Sequence, residues 1–239
     1  MSTPHPATAP MGNSGDGAPA DRQAQVRLML RPIGTALPLG YLAFALGMIV
    51  LGGDSLGWFA SEQVLVGVVL ASYVFPLQLV ATVMAFLGRD SVGAATLGLF
   101  TTSWLAFGLV DIISEPGSRP TVLGVFSIAF GVIVLGLAGT ACRAKPLFAA
   151  VLVLCSARAV FDGLSVLTGS PSLSFVTGVV ALVTTVAAAY LGFALLIEDA
   201  WPRPALPVLR RAAAASAMDG ELTAARGGIL ASPGVRDQL

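Results

Sequence analysis

Residues 146–167 read PLFAAVLVLCSARAVFDGLSVL, an apolar run interrupted by only two charges, Arg158 and Asp162. Its 22 residues match the roughly 20 that an α-helix needs to cross about 30 Å of hydrocarbon at about 1.5 Å per residue. The rest of the chain argues for the same solvent. Hydrophobic residues make up 56% of the 239 residues and charged residues 11%, and mean hydropathy is +0.85. Soluble domains carry about 25% charged residues, so this chain cannot cover its surface with polar groups. Much of that surface must face lipid, and the chain reads as an integral membrane protein.

Five more segments of this kind accompany it, at residues 33–52, 63–87, 92–113, 121–141 and 175–197. Lipid offers backbone groups no hydrogen bonds, so each is expected as a helix. Period-two alternation is weak, which argues against a β-barrel. The expected fold is all-α, with six transmembrane helices in residues 33–198. Residues 1–32 and 199–239 are Pro/Ala-rich and polar and read as tails without a core of their own. The links are short (GDSLGWFASE, GRDS, SEPGSRP, CRAK, TGSPSLS), so consecutive helices should run antiparallel.

With six spans, the Arg residues at 22, 27, 31, 89, 143, 203, 210 and 211, and Lys145, all fall on one side, and Arg119 stands alone on the other. The positive-inside rule then places both termini in the cytoplasm. Net charge is zero and there is no basic stripe, so nucleic acid is not an expected partner. His5 is the only histidine, and Cys142 and Cys155 lie in no cluster, so no metal or cofactor site is expected. No Ser/His or Cys/His set, zinc-protease motif or nucleotide-binding glycine loop points to an enzyme.

Three stretches resemble the acetate uptake transporter family, which includes the bacterial succinate–acetate permeases. In residues 35–44, TALPLGYLAF, the residues Pro38, Leu39 and Gly40 match the family's helix-1 motif, and Phe44 takes the place of its downstream Phe. Thr35 and Ala36 stand where the family has Asn-Pro. In residues 73–104, Tyr73, Gln78, Gly93 and Trp104 fit the family's helix 2 and helix 3 patterns in one ungapped register. Val74 and Phe75 replace its Gly pair, and Ala85 replaces its Glu. The third stretch is the link LTGSPSLS with the Ala-rich run TTVAAAYLG. The resemblance implies a six-helix protomer with a narrow central path and a ring-like homo-oligomer, usually a hexamer. It also implies passage of acetate or similar small monocarboxylates, with proton coupling expected, across the bacterial cytoplasmic membrane. The departures at residues 35, 36 and 85 favour the alternative, a non-transporting scaffold or sensor on the same fold.

The candidate site residues follow. Phe44 and Tyr73 match family positions that form an apolar constriction, which blocks hydrated ions and passes a small acid. Read without the resemblance, they are core aromatics. Gln78, Thr101, Thr102 and Ser103 offer hydrogen bonds to a carboxylate, or, for the hydroxyls, bonds within their own helix. Trp104 joins them through the matched register. A mid-membrane charge such as Arg158 costs about 2.5–3.5 kcal/mol on insertion scales. Asp162, four residues on, shares its helix face. The pair reads as a self-neutralising lock, as an anion-attracting site, or as a contact between protomers. Asp111 falls near the far interface, where a carboxylate is inexpensive. Pro76 should kink helix 2. Trp58 and Trp201 suit the headgroup belt. Gly124, Gly131 and Gly139 serve close helix packing, either within one protomer or between protomers.

Overall fold

The computed structural model describes residues 35–88, 90–115, 117–143, 145–200 and 206–208. Among these, all regular structure is helical. Six helices are long and apolar enough to cross a membrane: α1 Leu37–Ser55, α2 Gln63–Leu87, α3 Ser91–Ile113, α4 Thr121–Ala141, α5 Pro146–Thr168 and α6, whose spanning part is Pro171–Glu198. The chain is an all-α, multi-pass membrane protein. Most of the expected tails, and with them Trp201, lie outside the described residues.

Proline and glycine set most of the boundaries. Pro38 and Pro146 stand in the first turns of α1 and α5, where a missing N–H is harmless. α5 stops at Gly169, whose φ of +66° only glycine adopts without strain. Pro171 then opens α6 four residues earlier than the expected start at 175. The Pro-Ser-Leu-Ser run reads as a link by composition, yet proline followed by small residues suits a first helical turn. Asp90 caps α3 by accepting a hydrogen bond from the Gly93 N–H at 2.9 Å.

α2 is not regular throughout. Residues Leu70–Val74 form a π-helical turn, in which the Phe75 N–H bonds the Leu70 carbonyl five residues back. Pro76 follows directly, in the first turn of the α-helical half Phe75–Leu87. A proline cannot bond the carbonyl four residues back and its ring clashes with it. The widened turn takes up that misfit, so the expected kink is a π-bulge.

The helices associate as α1 with α6, α2 with α3, and α4 with α5. Each pair contains a glycine-to-glycine approach. A β-carbon on Gly163 would run into the Gly124 carbonyl oxygen, one on Gly67 would stand 2.5 Å from that of Gly108, and one on Gly178 3.0 Å from that of Gly52. Such contacts let backbones meet where lipid gives no hydrophobic drive for association. Gly131 also faces α5, against the Ser156 carbonyl, whereas Gly139 has nothing within 4 Å. Gly124 and Gly131 therefore pack inside the protomer, and Gly139 does not. The core between the helices centres on Phe44, Phe100, Trp104, Leu152 and Cys155.

Candidate functional site

The C-terminal ends of α1 and α5, the N-terminal ends of α2 and α6 and the α3–α4 link surround an open vestibule of about 550 Å³. Its wall includes Asp54, Gln63, Arg119, Ser165 and Ser174. Arg119, from the α3–α4 link, forms an ion pair with Asp54 of α1. Its other nitrogen lies 3.5 Å from Asp162 of α5. Asp162 is 1% exposed, accepts a hydrogen bond from Ser127 Oγ at 2.9 Å and sits 3.4 Å from Arg158 Nη2. Four charges thus alternate in sign from the vestibule inward: Asp54, Arg119, Asp162, Arg158. Burial opposes the charge on Arg119, but Asp162, Asp54 and Asp111 overcome it and hold its pKa above the ordinary guanidinium value.

Arg158 marks the inner end of this cluster. Its guanidinium lies 5.8 Å from the centre of the Phe107 ring and borders a cavity of about 10 Å³ with Met48, Phe100, Ser103, Trp104 and Phe130. Beyond Phe100 and Cys155, which line both spaces, is a second cavity of about 20 Å³ walled by Leu37, Tyr41, Phe44, Gln78 and Phe148. Tyr41 and Phe148 in turn border a third of about 40 Å³ that includes Lys145, at the end opposite the vestibule. The small cavities on either side of Phe100 each hold about one water-sized group, so the interior is closed between them.

The barrier is aromatic. Phe44 meets Phe100 edge to face at 4.9 Å and Trp104 at 5.7 Å, and Phe100 meets Phe130 at 5.1 Å. Edge-to-face rings interlock and hold each other's rotamers. Hydrogen bonds fix the surrounding frame. Gln78, fully buried, donates to the Gly40 carbonyl at 3.2 Å and accepts from Trp104 Nε1. Thr82 and Thr101 share a hydrogen bond at 3.0 Å. Pro38 and Gly40 of the helix-1 motif face inward and Leu39 is exposed. Gly40 is pressed against Leu97, where a β-carbon would meet Cδ2 at 2.7 Å.

The structure therefore brings together Phe44, Gln78, Thr101 and Trp104, and separately joins Arg158 to Asp162. It does not bring Tyr73 to this cluster. Tyr73 is 52% exposed on the outer face of α2, while its neighbour Val74 is buried beside Gly47 and Trp104. Both lie in the π-turn, which sets their directions. Thr102 and Ser103 bond carbonyls of their own helix, at Gly98 and Phe100. Asp111 is buried at the α2–α3 contact rather than open at an interface. Trp58 is exposed just beyond α1. Sequence reasoning missed Asp54 and Arg119 as site residues. The available signal was that Arg119 is the one cation on its side, where Asp54 ends α1.

No model of a protein family matches the chain, and no curated protein matches it either. Among solved structures there is a match. The bacterial acetate channel SatP superposes with a TM-score of 0.67 at 19% identity, over 74% of this chain and 99% of that one. The two share a fold. The resemblance to the acetate uptake transporter family read from residues 35–198 is thus met in three dimensions.

Proposed function

We propose that the protein is a channel or transporter for acetate or similar small monocarboxylates. The observation that carries this reading is a line of spaces, the vestibule joined to the first inner cavity through the Arg119–Asp162–Arg158 contacts and the inner cavities joined to one another by shared walls. A charged vestibule leads past Arg119, Asp162 and Arg158 to an aromatic neck at Phe44, Phe100, Phe130 and Trp104, and cavities continue toward Lys145. An apolar neck excludes hydrated ions and passes a small organic acid once its rings part. The fold shared with an acetate channel supports the same substrate class. Proton coupling, a homo-hexamer and residence in the cytoplasmic membrane belong to the proposal through the family resemblance. Charge asymmetry adds cytoplasmic termini, so the vestibule opens outward. This reading gives the protein no enzymatic role.

The test is uptake of radiolabelled acetate by the purified protein in liposomes at two external pH values, against empty liposomes. Saturable uptake above leak, competed by other short monocarboxylates, establishes the function, and its pH dependence reports coupling. Uptake no faster than leak moves the protein to the alternative, a scaffold or sensor on the same fold.

A further inference from the structure

Residues 206–208 lie back against the helices that precede them. α6 stops at Ala200, two residues before Pro202. Tyr190 stands about 15 Å short of that end, at about 1.5 Å per residue, and its hydroxyl donates to the Pro207 carbonyl at 3.1 Å. Val208 follows, half-buried, and packs against the core. It lines the cavity of about 40 Å³ at the end opposite the vestibule. The rest of that wall is Leu37 and Tyr41 of α1, Leu191 and Leu195 of α6, and Lys145 and Phe148 at the start of α5. Among the described residues of the wall, Val208 is thus the one that no spanning helix or its cap supplies. Leu37, Tyr41 and Phe148 also line the next cavity inward, with Phe44 and Gln78. Whatever covers the Lys145 cavity therefore covers the inner end of the line of spaces.

We propose that residues 206–208 form a strap that shuts this end of the path, with Val208 as its plug and the Tyr190–Pro207 hydrogen bond as its latch. The inference rests on the transport reading and adds a gate to it. Closure is steric and apolar: a valine set in a wall of leucines and rings keeps water out, as hydrophobic constrictions do. The latch is one neutral hydrogen bond, and Pro207 itself is exposed. Proline has no N–H, so that residue offers the helices no second backbone bond. A segment held by so few buried contacts opens without unfolding its neighbours. The strap also stands apart from the rings of Phe44, Phe100 and Trp104. The path then has two barriers in series, and the one at this end moves without disturbing the neck.

Tyr190→Phe cuts the latch, because it removes the hydroxyl and keeps the ring. Losing one neutral hydrogen bond shifts an opening equilibrium about fivefold, so acetate uptake by the full-length protein in liposomes should rise by about that factor. Seating of the plug is read separately, by thiol labelling of Val208→Cys in detergent with the exposed native Cys142 as internal reference. The new thiol should react several-fold more slowly than Cys142 and should gain speed when Tyr190→Phe is added. Equal labelling of the two thiols overturns the strap. Saturable wild-type uptake that Tyr190→Phe leaves unchanged or lowers overturns the gate and spares the transport reading. Uptake by Tyr190→Phe but not by the wild type supports gate and transport together. Uptake by neither protein removes the transport reading and the gate with it, and a labelling contrast then reports a packing contact only.

Discussion

Replacing Asp162 by Asn should destabilise the protein more than replacing Arg158 by Met, although the two residues form one ion pair. Among the described residues Arg158 has a single carboxylate partner, Asp162, and it is 4% exposed. In Asp162→Asn that guanidinium becomes an uncompensated buried charge, while Arg119 keeps Asp54. Breaking a buried pair in this way costs about 3–5 kcal/mol. In Arg158→Met the carboxylate is not orphaned, because Asp162 retains Arg119 at 3.5 Å and Ser127 at 2.9 Å. The loss is then one charged hydrogen bond of poor length, about 1.5 kcal/mol, with methionine filling much of the volume. The expected gap is about 2 kcal/mol. The double variant should cost clearly less than the sum, since removing Arg158 removes the charge that Asp162→Asn would otherwise strand. Reversible unfolding in mixed detergent–SDS micelles, followed by circular dichroism, measures all three. A cost for Arg158→Met equal to or above that for Asp162→Asn would refute the reasoning, because it would mean that Arg119 does not support Asp162.

Three further outcomes follow from the same geometry. Phe100→Ala removes the ring that separates the two inner cavities and should raise acetate leak through liposomes severalfold, while costing about 3–5 kcal/mol of stability as a large core truncation; unchanged leak in a folded variant argues against a neck there. Gly163→Ala drives a methyl into the Gly124 carbonyl and should cost about 1–3 kcal/mol as an overpacked contact, whereas Gly139→Ala, with open space around it, should leave thermal unfolding unchanged or raise it. For Arg119 the pKa is raised above its unfolded value, so its contribution is complete at every pH below that value and disappears only in strong alkali; between about pH 5 and 9 its charge is constant. Arg119→Lys, which stays charged throughout that range, should therefore keep the shape of the pH profile of uptake and change only its amplitude, and a shifted profile would contradict this.

Much of the fold was legible because lipid imposes one rule on every segment: a span must be helical and about 20 residues long. That rule needs no partner information, and it located α2 and α4 to the residue. It was weaker at the start of α6, where polar Ser residues follow a proline and composition reads as a link. The site divided in the same way. Arg158 and Asp162 were legible as a pair because their spacing is local to one helix. Asp54 and Arg119 join them from another helix and a link, 65 positions apart in sequence, and no spacing rule reaches that far. Tyr73 illustrates a different limit. Register against a family motif aligns positions along the chain, but a π-turn changes the direction in which side chains leave the helix. The residue matched in register and pointed outward.

The paired glycines have a mechanical consequence. All three glycine-to-glycine contacts, at Gly52–Gly178, Gly67–Gly108 and Gly124–Gly163, fall in the half of the helices nearer the vestibule. Helices that touch there through main-chain atoms have no side-chain rotamers left to compress. At the opposite end the walls are flexible side chains such as Leu37, Leu191 and Leu195. Lateral pressure from the bilayer is therefore borne by a stiff rim on one side and a compliant rim on the other. Changes in lipid thickness or tension will alter the cavities around Lys145 before they alter the vestibule.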